Sequence, residues 1–162
     1  MVEPAANGKK LVHVVERLRV TNTSFDVGPG LIKSSITEGP VVGEHRTTLV
    51  FDPDYPQQVI PVFSVNSLFT FFAEGRRPIG TLRANLFEGR AFKTYLPELE
   101  QPFFRVVGFG PFTAGTGQFK DAIGMVSTNG ALSLTPGAVS AMYMLRISDP
   151  QGRFQSPWTV RR

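Results

Sequence analysis

The sequence predicts an all-β protein, an antiparallel barrel of about eight strands with little helix. Glycine and proline punctuate the chain at short intervals: GPG at 28–30, GP at 39–40, DP at 52–53, YP at 55–56, RP at 77–78, LP at 96–97, QP at 101–102, GP at 110–111, PG at 136–137 and DP at 149–150. Between these breaks lie short runs rich in Val, Ile, Leu, Phe and Thr, the side chains that suit a pleated, half-buried surface. Regularly spaced short strands with turn signals form sandwiches or barrels. Helical periodicity of useful length is nearly absent. The exception is Val65, Leu68, Phe69 and Phe72, with Asn66 as a cap and Gly75 as a stop, and the same run reads equally as a buried strand.

Taken in order, strands are expected at Leu11–Val20, Leu31–Thr37, Glu44–Phe51, Val59–Val65, Ile79–Glu88, Phe103–Phe109, Gln118–Ser127, Ala131–Leu134 and Val139–Ile147. Residues 1–10 read as a disordered tail and 11–162 as a single β-barrel domain. A chain of 162 residues buries roughly 70% of its unfolded surface without help from metals or disulfides. There is no internal repeat and no low-complexity linker. An eight-stranded barrel has an interior just large enough for one small ligand.

Composition excludes several function classes. The chain has no cysteine, so disulfide frameworks, zinc–cysteine sites and thiol catalysis are out. The net charge is +4, but the basic residues are scattered, with pairs only at Lys9-Lys10, Arg76-Arg77 and Arg161-Arg162, and no stacking motif accompanies them. No nucleic-acid partner is expected. The first residues lack an apolar signal region and the longest apolar run, Leu68 to Ala73, is too short to span a bilayer. The expectation is a cytoplasmic protein with no membrane partner. Only His13 and His45 are available as histidine ligands, without H-x-H or H-E-x-x-H spacing, so no metal is expected. No G-x-S-x-G elbow, nicotinamide, flavin or nucleotide signature is present, and no cofactor is expected. ELE at 98–100 reads as a solvated loop.

The stretch FTAGTGQFKDAIG, 112–124, opens like a phosphate-binding loop at Gly115 and Gly117. It has no third glycine of a dinucleotide fingerprint and no Gly-Lys-Ser/Thr ending. In a strand pattern such glycines mark corners and close backbone approach. Gly115 and Gly117 can take positive φ, Phe119 then returns to the core, and Ala122 and Gly124 continue as small residues on a coiled strand. The longer segment GTGQFKDAIGMVSTNGALSL, 115–134, resembles the G-T-G-x-F-x-x-A-x-G-x-V segment shared by dirigent proteins and allene oxide cyclases, with Gly115, Thr116, Gly117, Phe119, Ala122, Gly124 and Val126 matching it. The resemblance implies a calycin-type eight-stranded antiparallel barrel with the motif late in the chain. It also implies a homotrimer, an apolar pocket for a reactive organic intermediate and chemistry without a cofactor.

Function in such a barrel falls to polar side chains on inward faces, and strand parity identifies them. In LVHVVERLRV the even positions Val12, Val14, Glu16, Leu18 and Val20 form the apolar face, with Asn22 next in phase. Glu16 is its only charge. A carboxylate among valines is desolvated, which raises its pKa toward values useful for proton transfer. The resemblance implies a functional glutamate and asparagine near the end of the first strand, here carried by Glu16 and Asn22. The alternative is a structural ion pair with an arginine, or a bulge that turns Glu16 outward. His13 shares its face with Arg17 and Arg19 and reads as surface.

In GEHRTTLVF, Gly43, His45, Thr47, Leu49 and Phe51 share the more apolar face, so His45 is a candidate acid, base or hydrogen-bond donor at the cavity; the alternative is a partly exposed histidine near the strand's start with no chemical role. In IGTLRANLFEG the parity is ambiguous. Arg83 and Asn85 line a pocket on one reading, with Arg83 the partner for Glu16, while Gly80 and Ala84 pack beneath a neighbouring barrel. On the other they form an exposed polar face. In AVSAMYMLRIS, Tyr143 alternates with Ala141, Leu145 and Ile147, and its hydroxyl either orients a carbonyl-bearing ligand or satisfies a core carbonyl. Met142 and Met144 are expected toward a subunit or the outer core. Fourteen phenylalanines against one tryptophan suit a planar apolar ligand and equally an ordinary core.

Three functions are compatible with these residues. The favoured expectation is a cofactor-independent isomerase or cyclase acting on a small hydrophobic substrate, with Glu16 catalytic and Asn22, His45, Arg83, Asn85 and Tyr143 binding the ligand. The others are a dirigent-like binding protein without chemistry and an oligomeric structural protein whose core fills itself.

Overall fold

The computed structural model describes residues 2–4, 10–19, 23–28, 32–36, 42–86, 88–95, 103–133 and 139–148, the first four strands by their backbone alone. The strands are β1 (Val2–Pro4), β2 (Lys10–Arg19), β3 (Thr23–Gly28), β4 (Ile32–Ile36), β5 (Val42–Phe51), β6 (Val59–Phe72), β7 (Pro78–Ala84), β8 (Gly89–Thr94), β9 (Phe103–Gly117), β10 (Ile123–Ser133) and β11 (Val139–Ser148). A single 3-10 turn, Glu74–Arg76, is the only helical segment among the described residues. The all-β expectation holds.

The strands join one sheet in the order β1-β2-β5-β6-β7-β9-β10-β11-β3-β4, with β8 beside β6 and β9. Pairing is antiparallel throughout except between β11 and β3, which run parallel. Val2–Pro4, within the segment expected to be a tail, pairs with Lys10–Val12. β7 and β8 share one place in the sheet. The first lies against Leu68–Phe72 of β6 and the second against Val59–Val62. The expected strand Ile79–Glu88 therefore ends at Ala84, and Ser64 ties the break to β6: its hydroxyl accepts the Leu86 N–H at 2.7 Å and its own N–H donates to the Leu86 carbonyl at 3.3 Å.

The stretch that read as helix or strand is the strand β6, and its mixed periodicity has a cause. Arg46 stands opposite Leu68, but Thr48 stands opposite Val65. Asn66 and Ser67 together therefore face the single residue Thr47, which is a β-bulge. Before it the buried positions are Ile60, Val62 and Ser64; after it they are Ser67, Phe69 and Phe71. One extra residue moves the inward phase from even to odd numbers.

The GTG segment is a corner, as expected, although only one of its two glycines has positive φ. Gly117 lies at φ 59° and a Cβ there would run into the Ile79 carbonyl. Gly115 stays extended and is held to glycine by the Phe119 carbonyl, which a Cβ would strike. The turn closes through Phe119 N–H to Thr116 O at 3.1 Å and Lys120 N–H to Gly117 O at 3.2 Å, and Phe119 is fully buried. The expected strand Gln118–Ser127 accordingly begins only at Ile123, and the expected Ala131–Leu134 continues it within β10 as far as Ser133, with Leu134 outside the described residues.

The sheet curls. A flat sheet would separate β5 from β11 by five strand spacings, roughly 24 Å. Yet the rings of His45 on β5 and Tyr143 on β11 have centroids 4.5 Å apart. The concave side holds two apolar clusters, one with Phe71, Leu82, Phe119 and Ile147, the other with Phe51, Ile60, Phe104 and Val106. Ala84 sits fully buried in the first, and Gly80 lies under Thr116 and Phe119. These small residues thus serve the chain's own interior rather than the face toward a neighbouring barrel.

Candidate functional site: a polar waist between two apolar clusters

The unbroken alternation of β5 places Gly43, His45, Thr47, Leu49 and Phe51 inward, all buried, with Arg46 exposed. His45 is 2% exposed. Its ring stacks on Phe69 at 4.2 Å and meets the edge of Tyr143. Its Nε2 shares a 2.8 Å hydrogen bond with Ser67 Oγ, which the bulge in β6 turns inward. Burial pushes the imidazole from its ordinary 6.5 down to about 3, because the cation would lose its hydration. At physiological pH His45 is neutral.

Beside it lies a cavity of about 40 Å³, room for a few waters or for the end of a larger molecule. His45, Thr47, Ser67, Thr128 and Tyr143 give it polar groups. Phe69 and Val126 from one cluster and Leu49, Val106 and Leu132 from the other give it apolar walls. Thr47 is 7% exposed, and its buried hydroxyl has no hydrogen-bond partner among the described residues.

Two of the sequence-predicted residues, His45 and Tyr143, meet at this cavity. Asn85 lies next to it, half-buried, its Oδ1 accepting the Ser67 N–H at 3.5 Å. Arg83 does not belong to it. Leu82, Ala84 and Leu86 are the buried residues of that segment, which leaves Arg83 exposed on the outer side and unavailable as an interior partner for Glu16. The backbone of Glu16 stands opposite His45 in the register of β2 and β5, and its side chain lies outside the described residues. Asn22 lies outside the described residues, as do the side chains of Met142 and Met144.

Sequence reasoning passed over Thr47, Ser67 and Thr128. Thr47 was in phase with His45 and readable. Ser67 was concealed by the bulge. Thr128 lies in a run of small polar residues with no clear phase.

Among the described residues no three His, Asp or Glu side chains converge as a metal site requires, and no helix is long and apolar enough to cross a membrane. Compared with protein-family models, curated proteins and solved structures, the chain matches none.

Proposed function

We propose that the chain is a barrel of the allene oxide cyclase and dirigent kind that binds a small hydrophobic molecule in the waist cavity and isomerises or cyclises it without a cofactor. One observation carries the reading: His45, Thr47, Ser67, Thr128 and Tyr143 converge on a cavity whose other walls are apolar, the usual form of a small-molecule site. Closure of the sheet into a barrel is supported by the curl that brings His45 on β5 against Tyr143 on β11.

In this reading Glu16, opposite His45, carries the proton. His45 is a hydrogen-bonding group rather than a base, since a neutral imidazole can polarise a substrate without transferring charge. Tyr143 and Ser67 hold the polar end of the ligand. Preorganised groups of this kind in a dry site lower a barrier by several kcal/mol. Assembly into a trimer is supported by apolar side chains left on the outer face, among them Phe63, Val65, Phe109 and Ile123.

Native mass spectrometry of the protein as purified tests binding and assembly together: a trimer carrying a small organic adduct is expected, and a bare monomer overturns both. Incubation with a small-molecule extract tests the chemistry. An isomerase shifts the retention time of one compound at constant mass, and Glu16→Gln abolishes that shift while keeping the adduct. Adduct without conversion in the unaltered chain leaves a binding protein.

A further inference from the structure

Thr47 follows His45 by two residues on the same inward face and stands opposite the bulge of β6. Its hydroxyl is buried at the cavity with no hydrogen bond among the described residues. A buried hydroxyl without a partner destabilises a fold, and valine would fill the same shape without that penalty. An occupant of the cavity can supply the partner. Rotation about χ1 exchanges the Thr47 hydroxyl and methyl between staggered positions, so the O–H can be aimed at an occupant.

We infer that the cavity receives the oxygen end of an uncharged ligand, a ketone or aldehyde whose carbonyl accepts a hydrogen bond from Thr47, and that it rejects carboxylates. The inference rests on the small-molecule reading above and names its ligand class. A carbonyl oxygen offers the lone pairs that a hydroxyl donor requires, and the adjoining carbons suit walls of Phe69, Val106 and Leu132. No lysine or arginine lines the cavity among the described residues. The imidazole there is uncharged at physiological pH. A carboxylate would be desolvated without a countercharge, which is strongly unfavourable. A hydrocarbon would leave Thr47 as it is.

The test is a chemical-shift titration of the full-length ¹⁵N-labelled chain with cyclopentanone, with methylenecyclopentane, which has the same shape without oxygen, and with cyclopentanecarboxylate. Cyclopentanone is expected to move the amide signals of 43–49 and 126–132, and the carboxylate to bind at least about tenfold more weakly. Thr47→Val is expected to weaken the ketone roughly threefold to tenfold, the worth of one neutral hydrogen bond, while the hydrocarbon binds as before or more tightly. Equal binding of ketone and hydrocarbon with no response to Thr47→Val overturns the inference and leaves the small-molecule site standing, as does a carboxylate that binds as well as the ketone. If none of the three probes moves these signals, the small-molecule reading fails and the inference with it.

Discussion

The buried imidazole of His45 makes the fold acid-sensitive in a way that can be isolated. Its folded pKa, about 3, lies below the unfolded 6.5, so the unfolded chain binds more protons between those values. Stability therefore rises with pH across this window, is complete above about pH 6.5, and is lost as pH falls toward 3. Going from about pH 7.5 to about pH 5, the unfolded imidazole gains nearly a full proton that the folded one refuses, a loss of about 2 kcal/mol from this residue alone. For a chain of this length that corresponds to about 4–8 °C in Tm. The assay is thermal or urea unfolding at a series of pH values for the unaltered chain and for His45→Gln, whose amide can still reach Ser67. The remaining ionisable groups are common to both proteins and cancel in the difference. The unaltered chain is expected to lose about 2 kcal/mol more than the variant. Parallel pH profiles would refute the assignment of a neutral, buried His45.

Three further outcomes follow from the geometry. Thr47→Val removes a buried hydroxyl that lacks a partner and is expected to raise the stability of the ligand-free protein by about 1 kcal/mol in urea unfolding. Gly117→Ala combines a left-handed φ with a collision against the Ile79 carbonyl, and a loss of at least about 2 kcal/mol is expected in the same assay. Arg83→Ala, on the outer side, is expected to leave stability within about 0.5 kcal/mol and the adduct in native mass spectra unchanged.

Where a strand alternates without interruption, the sequence was readable to the residue. β5 over 43–51 and β11 over 143–147 keep a period of two, and parity put His45 and Tyr143 on the more apolar faces of their strands. It could not pair them, because parity says nothing of which strands the curl brings together. The same limit applied to Glu16, whose register partner depends on how β2 meets β5. Arg83 was ambiguous because Gly80, at φ 155°, lets Ile79 and Leu82, three positions apart, both be buried. β8 escaped notice because GRAFKT carries Gly, Arg and Lys beside little apolar surface. Its inward residue, Ala91, is buried by β6 and β9 on either side, a tertiary effect that local composition does not carry.

The bulge in β6 has a bearing on how such a site arises. Leave out Asn66, and Ile60, Val62, Ser64, Ser67, Phe69 and Phe71 fall on one side of a regular strand that matches β5 residue for residue. A single inserted codon therefore separates a plain wall from one interrupted beside Thr47 and His45. Unlike a substitution, it alters the lining of the interior without changing any residue that holds the two apolar clusters together. The length of this strand, more than the identity of any residue on it, therefore sets how its wall meets Thr47 and His45.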